Sequence, residues 1–264
     1  MKRQLAIEVG GLAIAFESDD SRWAQILGPR YGAFRTGREP ELVVAVTTKG
    51  EPHGIEAIDR LRSEAARIHL DGATVRLRTP SLEASVEPGR GAGSLAAPLD
   101  RHGIDLLLPL LLALHVDDAL LLHATLAIDG ERAFVCAGPS GAGKSTLARL
   151  LGERAYCDEL VLLRRRAEGW RAHALPYWHG RPGSAPLAGL RLLRHGDRHE
   201  LLPVPAERLL REVAREVIWP TFSEEACARS LELVARLVAE VPAAELVFRP
   251  GPGVWPALAG ERAA

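Results

Sequence analysis

An α/β fold is predicted for this chain of 264 residues, with a β-rich region over residues 1–95 and an α/β domain over residues 96–264. Three observations predict it. The first 95 residues carry short apolar runs separated by glycine turns, the spacing of β-hairpins. Residues 132–152 read as apolar strand, glycine-rich loop and amphipathic helix in direct succession. Beyond residue 200, two segments repeat apolar residues at helical spacing.

In chain order, residues 5–9 and 12–16 are short apolar runs split by Gly10-Gly11, a hairpin signal. Residues 20–27 suit a helix, and 41–47 (ELVVAVT) a strand. Residues 67–70 and 74–78 flank Asp71-Gly72 as a second hairpin, which 82–86 extends. The small-residue stretch 89–97 reads as a domain boundary or as a loop inside one fold. A buried helix is expected over 101–116. Its apolar stretch is too short to span a bilayer. Strands follow at 119–128 and 132–137, around Asp129-Gly130. The loop then opens a helix over 144–152. Residues 156–163 form the next strand, with 170–175 pairing back onto it. Helices at 207–217 and 224–241 and a strand at 245–249 complete the expectation.

Composition bounds the function. Hydrophobic residues at 47% can fill a core, and a net charge of -1 argues against a nucleic-acid groove. No signal peptide or spanning segment is visible, so neither membrane insertion nor export is expected. Cys136, Cys157 and Cys227 are far apart in sequence and read as structural thiols in a reducing, cytoplasmic compartment. The β-rich region is expected to serve peptide docking or subunit contact, the latter in a homo-oligomer.

The chemistry concentrates in Gly138, Pro139, Ser140, Gly141, Ala142, Gly143, Lys144, Ser145 and Thr146, a complete Walker A pattern. Glycines let backbone N–H groups close around phosphate oxygens, and the helix that follows adds partial positive charge. Lys144 reaches the β- and γ-phosphates as a compact ammonium. It is one of only three lysines, with Lys2 and Lys49, among 33 basic residues. Ser145 offers its hydroxyl to Mg²⁺, so ATP and Mg²⁺ are the expected cofactors.

Asp158-Glu159 is a charged pair inside an apolar run, expensive to bury unless paired or metal-bound. One carboxylate would support the metal and the other would take a proton from a substrate hydroxyl; the residues do not say which is which. His123 lies fifteen residues before Gly138, where it could orient that pair. Weaker signals are the loop of Tyr177, Trp178, His179, Gly180 and Arg181, in which Arg181 could meet a phosphate, and the basic run Arg164, Arg165 and Arg166, read as a solvated hairpin end. His195, Asp197 and His199 match no metal-ligand spacing and read as polar loop residues.

His123-Ala124, the glycine loop and residues 157–163 (CDELVLL) together resemble the catalytic domain of the HPr serine kinase/phosphorylase family and its shorter relatives, among them kinases encoded beside lasso and other modified peptides. The similarity covers roughly residues 96–249. It implies a PEP-carboxykinase-like P-loop fold and phosphoryl transfer to a serine hydroxyl of a peptide or small protein. It also implies nucleotide and metal roles for Lys144 and Ser145, and roles for Asp158, Glu159 and His123 as the base and its orienting partners. The family usually has two aspartates where this chain has Asp158-Glu159. The alternative from another functional class is a nucleotide-binding regulator with little or no phosphotransfer.

Overall fold

The computed structural model describes residues 3–52, 66–177 and 180–261, and its architecture is α/β, with helices on mixed sheets. The chain divides into two compact units: Met1–Val116 with Pro220–Ala226, and Asp117–Trp219 with Cys227–Ala264. Among the described residues no helix is long and apolar enough to cross a membrane.

The first unit holds a seven-stranded sheet in the order β1-β2-β3-β7-β6-β5-β4. Its strands are β1 (Arg3–Val9), β2 (Leu12–Ser18), β3 (Leu42–Thr48), β4 (Arg67–Asp71), β5 (Thr74–Arg78), β6 (Glu83–Glu87) and β7 (Ala92–Ala97). The expected hairpins form. Val9 faces Leu12 across Gly10 and Gly11, both at positive φ, and Asp71 faces Thr74. Helix α1 (Arg22–Tyr31) buries Trp23, Leu27 and Tyr31.

The stretch 89–97 is not a boundary in this architecture. Six of its residues form β7, an internal strand paired with β3 on one side and β6 on the other. Small side chains are required there because helix α2 (His102–His115) comes down on the strand. A Cβ added at Gly103 of that helix would lie 2.7 Å from the Ala97 Cβ. The first compact unit therefore runs on to Val116, past the residue-95 boundary expected from composition.

The second unit is built on nine strands: β8 (Ala119–Leu122), β9 (Ala124–Asp129), β10 (Arg132–Ala137), β11 (Ala155–Cys157), β12 (Val161–Arg166), β13 (Gly169–Ala174), β14 (Ser184–His195), β15 (Glu200–Leu202) and β16 (Ala243–Phe248). The main order is β11-β9-β10-β14-β13-β12-β8, with β16 pairing β14 and β15. Strands β10, β14 and β16 run parallel to one another, and the other pairings are antiparallel.

Beyond Arg132, strand β10 is apolar because both its faces are covered. Ala133, Val135 and Ala137 enter a core with Leu209 and Val213 of α4 (Ala206–Glu216) and Val234 and Leu237 of α5 (Glu224–Glu240). Phe134 and Cys136 enter a second core with Leu147 and Leu151 of α3 (Lys144–Leu151) and Leu258 of α6 (Val254–Ala259). Burial pushes the Cys136 and Cys157 thiols up to about 12, so both stay protonated, and all three cysteines are free.

Two runs expected as single strands are each broken. Residues 119–128 bend at His123 into β8 and β9, and 156–163 bend at Asp158-Glu159 into β11 and β12. The breaks face each other. Leu122 pairs with Val161 on one side of them, and Leu126 pairs with Cys157 on the other. The two ends of the strand order are therefore joined by the chain itself, β8 continuing into β9 and β11 into β12. The Cys157 thiol donates to the Leu160 carbonyl at 3.3 Å and closes the second bend.

Strand β16 carries a buried carboxylate, Glu245, which accepts from Arg194 at 2.9 Å and from Arg208 of α4. Burial alone would raise its pKa, but the two guanidiniums outweigh burial and hold it below the ordinary carboxylate value. Glu245→Gln is expected to cost about 2 kcal/mol at neutral pH. The figure lies below that for a fully buried pair because both arginines are about half exposed and can return to water. A carboxylate with a depressed folded pKa stabilises above its unfolded value and loses that stabilisation as pH falls through the folded one. Urea titrations of both proteins should therefore converge in acid and separate above about pH 5.

Candidate functional site

The glycine loop sits between β10 and α3, the strand–loop–helix order expected of it. Gly141 and Gly143 have φ of 83° and 100°, values that side-chain-bearing residues rarely adopt. Space is also tight. A Cβ at Gly138 would lie 2.9 Å from the Ala142 Cβ, and one at Gly143 would lie 2.7 Å from Phe248 Cζ and 3.1 Å from His195 Cε1. The first N–H groups of α3 have no acceptor within the helix and point out of its N-terminus, into the loop. Helix α3 packs on β9 and β11, and its backbone is pinned by the buried Thr125 hydroxyl, which donates to the Lys144 carbonyl at 3.3 Å.

Lys144 is buried, with its side chain 8% exposed. Its Nζ donates to the Gly138 carbonyl and, at 3.4 Å, to that of Pro139. It also lies 3.8 Å from the Glu216 carboxylate, at the C-terminal end of α4. The same Glu216 oxygen is 3.5 Å from Nδ1 of His123. The chain after α4 runs beside the bend at His123. His123 N–H donates to the Glu216 carbonyl at 2.7 Å, Leu122 bridges Val217, and Ile218 N–H donates to the Leu121 carbonyl at 2.8 Å. Glu216 is thus a shared carboxylate for Lys144 and His123 and is mostly buried, while His123 stays about half exposed.

Glu216 escaped the sequence reading. It sits among Glu212, Arg211 and Arg215 on a charged amphipathic helix, where a glutamate reads as a solvent-facing residue. The usable signal was its place next to Val217, an apolar residue that leaves the helix and becomes buried.

Asp158 and Glu159 lie in the bend after β11, partly buried, rather than inside a strand. The register on either side sets Asp158–Leu160 across from His123–Thr125. Ser145 is exposed in the first turn of α3. Arg181 lies over the Tyr156 ring at 3.8 Å and donates to the Glu153 carbonyl, so its cation is engaged beside β11. Trp178 and His179 of the same loop lie outside the described residues. In the basic run, Arg165 pairs with Glu240 at 2.9 Å, which Trp170 also reaches. His195 and His199 go to different partners, the carbonyls of Gly141 and Pro252. Among the described residues no three His, Cys, Asp or Glu side chains stand close enough to hold a metal by themselves.

The parallel strands β10, β14 and β16 end on the same side. Ala137, the last residue before the loop, pairs with Leu192, and β14 continues three residues further to His195, beside Phe248 at the end of β16. A helix N-terminus, a buried ammonium, two carboxylates in a bend and a His–Glu pair are thereby gathered at one end of the second unit. No curated protein matches the chain. A family model described as SynChlorMet cassette protein ScmC matches residues 103–244, more than half of the sequence. That span includes His123, the glycine loop, Asp158-Glu159, His195 and Glu216, and it excludes all seven strands of the first sheet. The chain belongs to the ScmC family of SynChlorMet cassette proteins.

Proposed function

We propose that this protein is an ATP-dependent kinase, related to the HPr kinases, that transfers the γ-phosphoryl group to a serine hydroxyl of a peptide or small protein. The observation that carries the reading is the complete Walker A loop between β10 and α3, with Lys144 at its centre and a carboxylate-bearing bend after β11, a strand that α3 covers. In the reaction a serine oxygen bonds to the γ-phosphorus while the bond from that phosphorus to the bridging oxygen of ADP breaks. The serine proton passes to a carboxylate, Asp158 or Glu159. Lys144 would leave the Gly138 and Pro139 carbonyls for the β- and γ-phosphates, and the loop N–H groups would hold the phosphate oxygens in line.

The donor set suits Mg²⁺. Ser145, Asp158 and Glu159 offer the hard oxygen atoms that such an ion takes beside phosphate oxygens and water. Bound there, the ion would neutralise charge on the transferring phosphoryl group. His123, with Nδ1 toward Glu216, presents its other ring nitrogen away from that carboxylate, where it can orient the acidic pair.

The family description names a cassette, so a peptide encoded with this chain is the first acceptor to try. The test is transfer from [γ-³²P]ATP with Mg²⁺ to such a peptide, to a panel of serine peptides and to HPr. Label on serine that falls about 100-fold or more in Asp158→Asn or Glu159→Gln supports the kinase and a part for the acidic pair in the transfer. Tight ATP binding with no label on any acceptor would favour the regulator instead.

A further inference from the structure

We infer that His195 is a positioning residue for the phosphate loop, holding it in the form that receives the β- and γ-phosphates of a nucleotide. The inference rests on the phosphate-loop reading above and adds a residue that lies outside the Walker motif.

His195 ends β14, the parallel neighbour of the strand that leads into the loop. Its Nε2 lies 2.8 Å from the Gly141 carbonyl. A carbonyl oxygen only accepts, so Nε2 carries the proton and the imidazole donates. The ring stacks on Phe248 with centroids 5.7 Å apart and planes at 29°, and Phe248 is fully buried. The exposed imidazole therefore rests one face against the core. A Cβ built at Gly143 would lie 3.1 Å from its Cε1, so the imidazole edge stands beside the loop.

An anion is held by N–H groups turned toward it, and a carbonyl turned the same way repels it. Three loop carbonyls are tied down in this structure. Those of Gly138 and Pro139 are held by Lys144, and that of Gly141 by His195. Lys144 must release its two carbonyls to reach a phosphate. His195 need not move, so the Gly141 carbonyl stays turned away while the nucleotide enters. The Ala142 N–H donates to the Pro139 carbonyl at 3.0 Å, so the peptide unit joining Gly141 to Ala142 is fixed at both its polar atoms. The loop is thereby pre-organised by a group on another strand.

The test measures affinities of the full chain for ATP and for inorganic tripolyphosphate by calorimetry, in wild type, His195→Ala and His195→Gln, with melting temperatures alongside. His195→Ala should weaken both ligands by the same factor, about tenfold, the loss of one hydrogen bond's worth of pre-organisation. His195→Gln, whose amide can donate to the same carbonyl, should recover most of it. An unchanged tripolyphosphate affinity in His195→Ala overturns the inference, whether or not ATP binding changes, and so does a Gln variant as weak as the Ala one. Wild type that binds neither ligand would remove the phosphate-loop reading itself, a result seen before any variant is compared.

Discussion

Lys144→Ala is expected to reduce phosphoryl transfer by about 100- to 1,000-fold, the usual loss when one pre-organised charge is taken from a developing anion. The fold should survive. The helix start at residue 144 is held by backbone bonds and by the Thr125 hydroxyl, none of which uses the ammonium. The side chain bonds only loop carbonyls and approaches Glu216, and its removal leaves those carbonyls beside the open end of the loop. Lys144→Arg should not restore activity. The ammonium is buried among the carbonyls of its own loop, where a planar guanidinium has neither the shape nor the room. Transfer assays with thermal melts check both points. A Lys144→Ala protein with wild-type turnover would sink the assignment.

Gly143→Ala should cost about 2–4 kcal/mol of stability and abolish nucleotide binding. Two physical costs add. A φ of 100° strains any residue with a Cβ, and that Cβ would press on the buried Phe248 ring and on His195. Phe248 is enclosed by the second core, with Leu147, Leu246 and Val254, so it cannot simply swing away. Gly141→Ala separates the two costs. Its φ of 83° carries the strain, but nothing lies within 4 Å of the new Cβ. Urea denaturation of the pair should show Gly141→Ala losing only the strain, about 1–2 kcal/mol. Equal losses in the two variants would show that the approach of Phe248 does not matter.

The parts of the structure that local chemistry dictates were legible in the sequence. Gly10-Gly11 and Asp71-Gly72 carry their hairpins because the positive φ of Gly10, Gly11 and Gly72 is a property of glycine itself. The same holds for the glycine loop and for helices α4 and α5, whose apolar faces recur at helical spacing. The bends at His123 and Asp158-Glu159 were not legible. Both lie inside apolar runs that continue on either side, and each bend exists because the chain changes strand neighbours there, which no local preference encodes.

Strand β14 was hidden as well. Pro186 and Gly189 weaken its strand pattern and Arg191 interrupts its apolar residues, yet Arg191 is buried, donating to the carbonyls of Leu258 and Leu190 while its guanidinium lies over Phe134. With β14 missing, His195 read as a turn residue and its approach to the loop could not be seen. At the candidate site, Lys144 and the loop glycines stood out as residue types with few other uses. Glu216 did not, because its role depends on where α4 ends in space.

The scarcity of lysine has a practical side. Lys2 and Lys49 precede residue 117, where the second unit begins, and the Lys49 side chain is 59% exposed. Lys144, 8% exposed and occupied with carbonyls, is a poor target for acylating reagents. Amine chemistry will attach dyes, beads or sensor surfaces through Lys2 and Lys49, leaving the ammonium in the loop unmodified.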